Sequence, residues 1–169
     1  MLEIGMICAE AGEKIARVSV NMAMAADMEV RASSTATTGA YSSACQRGLP
    51  AILMERGGGG RFTDSEVQAY KRDVKNIMIR MGLLSGEEVH TVQQKNVTRA
   101  EYLEAETDGL WYPVFSAGDT FAGGAVLGTV RDIWGNLLRE YRADYPGIVL
   151  YQTVGLGVKT GDPLIAYGE

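Results

Sequence analysis

Between Leu110 and Glu169 glycine-bearing turns recur so closely that only short extended segments fit between them. This constrains the fold more than any other feature of the sequence. The turns are Gly118-Asp119, Gly123-Gly124, Trp134-Gly135-Asn136, Pro146-Gly147 and Gly161-Asp162. Short apolar and aromatic runs at this spacing are the pattern of a small all-β barrel or sandwich. A weak internal echo supports it, since Ala117-Gly118-Asp119-Thr120 is followed later by Thr160-Gly161-Asp162-Pro163. Trp111 and Trp134 are expected to anchor the core of this module.

Upstream, the periodicity is helical. Ile15, Val18, Met22 and Ala25 line one face of a helix expected over 11–28. Glu29–Ser33 reads as a short strand, and the small residues up to Gly39 read as a loop. A second helix is expected over Ala40–Arg47, closed by Gly48. Pro50 stops that helix. The unbroken run Ala51-Ile52-Leu53-Met54 then suits a strand buried on both faces. Glu55, Arg56 and four glycines, Gly57 to Gly60, follow it, and the glycine run reads as a flexible turn. Thr63 and Glu66 form a capping box at the head of a third helix. Its apolar stripe is Val67, Tyr70, Val74, Ile77, Met78 and Met81, and Gly82 ends it. The chain is thus read as two units, an α/β segment over 1–85 and a β module over 92–169.

Composition removes several function classes. Hydrophobic residues at 46% and charged residues at 22% give enough apolar surface to fold, which excludes a disordered chain. A net charge of −5 lacks the basic face that nucleic acid requires. No apolar run reaches the roughly 18 residues of a membrane span. No signal segment opens the chain, so a cytoplasmic protein is expected. Cys8 and Cys45, far apart and outside any CxxC pattern, are read as two buried thiols. His90 is the one histidine, and His90-Thr91-Val92-Gln93 supplies no carboxylate at ligand spacing. The chain by itself is therefore expected to hold no metal. No P-loop, dinucleotide fingerprint or GxSxG elbow occurs.

One segment carries a family likeness. Gly48-Leu49-Pro50-Ala51-Ile52-Leu53-Met54-Glu55-Arg56-Gly57-Gly58 resembles the GxPaxxxExGG strand of succinylglutamate desuccinylase/aspartoacylase-type deacylases. Gly109-Leu110-Trp111-Tyr112-Pro113, Gly118-Asp119, Leu127-Gly128, Asp132-Ile133-Trp134-Gly135 and Gly161-Asp162-Pro163-Leu164 resemble the C-terminal domain of the same family. The likeness runs from about residue 12 to the end. It implies the C-terminal part of an α/β domain with a zinc-carboxypeptidase-like, mostly parallel sheet, followed by a small β domain of lipoyl-like barrel-sandwich character. No Met-Lys-Met or Asp-Lys-Ala tripeptide is present, so no cofactor attachment is expected. The likeness also implies zinc held by an HxxE pair and a further histidine in an earlier segment, and N-acyl amino acids or related small amides and esters as substrates.

The position matching the family's general base is Glu55. A carboxylate in that role takes a proton from the metal-bound water and delivers it to the leaving amine. It belongs at the carboxyl end of a parallel strand, where open α/β sheets place ligands. Arg56 and Arg61 flank the glycines and are either substrate-carboxylate clamps or ordinary surface arginines. Tyr41 either reaches toward a substrate or packs in the core. The segment that would carry the zinc ligands is not in the sequence. The chain is therefore expected to be a fragment of a longer zinc hydrolase, inactive alone. The competing expectation is a non-catalytic oligomerisation or binding module built on the same fold, with homo-oligomers favoured by unpaired strand edges.

Overall fold

The computed structural model describes residues 3–8 and 12–169, with the side chain of Cys8 outside that description. The chain divides into two compact units, Glu3–Thr98 and Arg99–Glu169.

The first unit is a four-stranded sheet with three helices. In chain order its elements are β1 (Ile4–Cys8), α1 (Glu13–Ala25), β2 (Val30–Ser34), α2 (Ala40–Gln46), β3 (Ile52–Glu55), α3 (Asp64–Arg80) and β4 (Lys95–Val97). The strands lie in the order β3-β1-β2-β4. β1 and β2 run parallel, as do β2 and β4, whereas β3 runs antiparallel to β1. Residues 95–97, which the turn pattern assigns to the β module, thus belong to this sheet. β1 and β2 are the buried centre, with Ile4, Met6, Ile7, Val30 and Ala32 in the core.

Two expectations change here. β3 is an edge strand and only half-buried, because β1 covers one side of it and no described strand covers the other. Helix α3 has the expected capping box, with Thr63 accepting from the Glu66 amide and Glu66 accepting from the Thr63 amide. The face of α3 that is buried, however, carries Ala69, Asp73 and Asn76. Val74, Met78 and Met81 of the expected core stripe are 48%, 38% and 39% exposed. The polar residues go inward because each has a partner there. Asn76 donates to the Val89 carbonyl at 2.8 Å and accepts from its amide at 3.0 Å, and Asp73 meets an arginine described below.

The second unit packs two antiparallel sheets. Its strands are β5 (Ala100–Glu104), β6 (Gly109–Pro113), β7 (Thr120–Phe121), β8 (Val126–Arg131), β9 (Leu137–Arg142), β10 (Gly147–Gln152), β11 (Gly157–Val158) and β12 (Pro163–Gly168). The sheets have the orders β5-β12-β10-β7 and β11-β6-β8-β9, and no closed barrel forms among the described residues. The sequence echo is a structural repeat. Gly118 and Asp119 exchange backbone bonds with Val149, as Gly161 and Asp162 do with Ala105. The carboxylates of Asp119 and Asp162 each accept an amide three residues back at 2.8 Å. Both glycines sit at positive φ, 94° and 89°, a conformation closed to most side chains.

Trp111 is buried in this unit's core with Leu127, Val130, Tyr141, Val149, Leu164 and Tyr167. Its ring meets Tyr141 edge-on at 5.7 Å, and it lies where a side chain on Gly128 would stand. Trp134 is not a core residue. It is 82% exposed, at the tip of the β8–β9 hairpin, because Asp132 folds the tip outward by accepting the Trp134 and Asn136 amides.

Gly128→Ala is expected to overpack the Trp111 site and destabilise this unit by about 1–3 kcal/mol. Both tryptophans lie within it, so denaturant unfolding followed by tryptophan fluorescence reads that unit; an unshifted midpoint would mean the ring moves aside without strain.

Candidate functional site

Four side chains read from the sequence as site residues are spread over the two ends of β3. Tyr41 stands near the start of α2, a helix whose chain exit is fixed by Gly48 at φ 85° and by the Leu49 amide bonding the Ala44 carbonyl. It lines a shallow groove of about 490 Å³ with Gly39, Ala40, Ala51, Ile52 and Leu53. Cys45, on the same helix, is buried with a free thiol. Its thiol donates to the Ala51 carbonyl at 3.4 Å, while Ser19 Oγ accepts from the Ala51 amide at 3.2 Å. Serine and cysteine together fix where β3 begins.

Glu55 ends the same strand at its far end. Because β3 is antiparallel, Ile52 lies opposite Ile7 and Glu55 opposite Ile4. The carboxyl ends of β1 and β2 are therefore beside Ile52, and Glu55 lies by their amino ends. Three strand steps of about 3.3 Å put roughly 10 Å between the two positions. This corrects the expectation that Glu55 sits on the carboxyl edge of parallel strands. Glu55 is exposed.

The glycine run after it forms a bridged turn. Gly58 and Arg61 form an isolated β-bridge, with the Arg61 amide 3.2 Å from the Gly58 carbonyl. Gly57 is required there, at φ 74°, because a side chain would collide with the Arg61 carbonyl and crowd the Glu66 carboxylate. Arg61 itself is exposed at this end of β3.

Arg56 is neither a substrate clamp nor a surface residue. Its side chain is 1% exposed. Nε and Nη2 donate to Asp73 at 3.0 and 2.7 Å, Nη2 also donates to the Asp27 carbonyl at 2.8 Å, and Nη1 pairs with Glu3. Its amide donates to Tyr70 Oη at 2.9 Å, and that hydroxyl donates to the Met54 carbonyl. The other Asp73 oxygen accepts the Asp27 amide at 2.8 Å. The Asp27 carboxylate in turn accepts the Thr91 amide and hydroxyl, at 2.7 and 2.6 Å, the Val92 amide, and Arg72 at 2.9 Å. Burial works against the charged form of Asp27, but these donors outweigh it and hold its carboxyl below the usual range.

Sequence reasoning missed this network. The available signal was the i, i+4, i+7 spacing of Ala69, Asp73 and Asn76 on α3, which runs beside the apolar stripe and was masked by it. His90 lies in the segment between α3 and β4. It lies 3.0 Å from Glu88, which also pairs with Arg80, and Arg80 in particular keeps Glu88 below the usual carboxylate range. No group of three His, Cys, Asp or Glu suited to a metal occurs among the described residues, and none of the described helices is long and apolar enough to cross a membrane.

No family model matches the chain. Over 124 residues it is 27% identical to the N-alpha-acetyl-L-2,4-diaminobutyric acid deacetylase of Halomonas elongata, a match covering 70% of this chain and 36% of that protein. The product-bound ectoine utilization protein of Ruegeria pomeroyi superposes with a TM-score of 0.86 at 22% identity, over 99% of this chain and 53% of that one. A succinylglutamate desuccinylase/aspartoacylase of Rhodobacter sphaeroides gives 0.82 at 21% identity, over 99% and 53%. The chain thus spans about half the length of these solved proteins and about a third of the curated relative. The likeness read from the sequence holds at the level of the fold: the chain has the fold of the C-terminal portion of the succinylglutamate desuccinylase/aspartoacylase family.

Two outcomes are expected of the buried network. Asp73→Ala leaves the Arg56 guanidinium without its main partner and is expected to cost about 3–5 kcal/mol, read by urea denaturation. Asp27 is less basic folded than unfolded, so its stabilisation is complete above the unfolded pKa of about 3.9 and is lost as pH falls through the lower folded value. Asp27→Asn is expected to flatten that acid limb; an equally steep limb in the variant would place the effect elsewhere.

Proposed function

We propose that this chain is the C-terminal part of a hydrolase that deacylates N-acyl amino acids or related small amides and esters. The observation that supports this most directly is the 124-residue match to a deacetylase of an N-acetylated amino acid, in a chain whose fold follows deacylase-family structures along 99% of its length. The lipoyl-like character of the β unit belongs to the same proposal.

The metal implied by that chemistry is zinc, and the described residues do not fit it. The one histidine pairs with Glu88, and no cluster of donors surrounds it among the described residues. Zinc and its ligands therefore lie, in this reading, beyond these residues, and the chain alone is inactive. Glu55 remains the proposed proton-transfer carboxylate because it matches the family's glutamate and is exposed beside a turn of side-chain-free residues. Arg61, at the same end of β3, is the proposed partner for a substrate carboxylate. Tyr41 lines a groove at the opposite end and cannot serve a substrate held at Glu55. Arg56 is withdrawn from the site by its burial.

The second reading, a non-catalytic module that assembles with itself or another chain, is favoured by the exposed Val74, Met78 and Met81 on α3. The two readings separate on assay. The chain is expressed with and without the coding sequence upstream of Met1, supplied with zinc and given a panel of N-acetyl and N-succinyl amino acids. Deacylation by the extended protein alone is the expected result, and no hydrolysis by either sinks the proposal. Glu55→Gln in the active form is expected to lower kcat by about 10²–10⁴; an unchanged rate removes Glu55 from the role and leaves the activity assigned.

A further inference from the structure

We propose that the outer edge of β9 is a self-association surface on which a second copy of this chain adds its own β9, antiparallel, about a two-fold axis through Tyr141.

β9 ends its sheet, so among the described residues half of its backbone groups have no strand to bond. Two observations show which half. The Leu127 carbonyl accepts from the Val114 amide on the β6 side, so the alternate residues Gly128 and Val130 face β9, opposite Tyr141 and Arg139. Ala143 exchanges bonds with Ala125 and Gly124 on that inner side as well. Peptide groups alternate along a strand. The amides and carbonyls of Glu140 and Arg142 therefore point outward.

Charge then selects the register. A two-fold axis normal to the sheet pairs each residue with one an even number of positions away. Centring on Arg139, Glu140 or Arg142 sets that residue against its own copy and opposes like charges. Centring on Tyr141 sets Glu140 against the second copy's Arg142 and Arg142 against its Glu140. These are the residues with outward backbone groups, so each pair exchanges both ladder hydrogen bonds while its side chains meet with opposite sign. Both side chains leave the sheet on the face opposite the buried Tyr141 ring and are accessible, at 35% for Glu140 and 57% for Arg142. Within one copy they already pair with each other at 2.7 Å. An exposed pair of this kind contributes little and exchanges readily for a cross-strand one.

Apolar area adjoins the edge. Leu137 and Leu138 of the same strand are exposed, and Ile133 and Trp134 project from the hairpin tip at 76% and 82%. Asp132 holds the backbone of that tip with three hydrogen bonds from Trp134 and Asn136, which fixes where the aromatic residue projects. Charges on an edge strand ordinarily repel other strands. Opposite signs two residues apart, on the two positions whose backbone faces outward, favour one partner in one register.

Sedimentation velocity on the chain, from micromolar to near-millimolar concentration, tests this. The expected result is a monomer–dimer equilibrium weakened by salt, at least about tenfold weaker in Glu140→Arg and restored in Glu140→Arg/Arg142→Glu. Hydrogen exchange on the unsubstituted chain gives an independent reading: the amides of Glu140 and Arg142 slow as concentration rises. A monomer throughout the range overturns the proposal. So does a dimer indifferent to Glu140→Arg, a double variant that fails to recover, or a dimer whose Glu140 and Arg142 amides exchange as fast as in the monomer.

Discussion

The first unit depends on a buried arginine. Arg56 is held between Asp73 on α3, the Asp27 carbonyl after α1, and Glu3 before β1, and Asp73 passes the link on to the Asp27 amide. Asp27 then gathers the segment at Thr91 and Val92 before the chain enters β4. A single ion network thus ties the strand carrying Glu55 to both flanking helices and to the last strand of the sheet. Burying such charges costs desolvation that only complete hydrogen bonding offsets. Here Asp27 and Asp73 are almost fully served, and the polar inner face of α3 follows from that demand.

The network also decides what is available for chemistry. Arg56 is next to Glu55 in sequence, yet its side chain enters the ion cluster while that of Glu55 faces solvent. Tyr70, by bonding to the Met54 carbonyl and the Arg56 amide, closes the end of β3 and fixes where the glycine turn starts. Glu55 and Arg61 are left on one exposed rim, and Tyr41 on another. The likeness to deacylases accordingly rests on the fold and on sequence identity across most of the chain.

The β unit is organised differently. Its core is apolar and aromatic, built by Trp111 against a strand that carries glycine at 128 to receive it. Two copies of a Gly-Asp turn brace it at related places. Its outer charge lies along β9, the edge proposed above for self-association.

The sequence by itself determined the elements whose signals are local. The capping box of Thr63 and Glu66, the stop at Gly48 and Pro50, the Gly-Asp turns and the family strand through Glu55 are all short-range chemistry, and the structure has each of them. Tertiary structure alone decided what depends on partners distant in the chain. The direction of β3 against β1, and hence the end of the sheet at which Glu55 stands, is set by pairing with residues about 50 positions earlier. The burial of Arg56 and the inward turn of Asp73 are set by an ion cluster assembled from distant segments, that of Asn76 by the Val89 backbone, and with them the exposure of Val74 and Met78. Trp134 faces water because Asp132 shapes the hairpin it sits on. Side-chain hydrophobicity predicts burial only where no such partner competes, and at each of these positions one does.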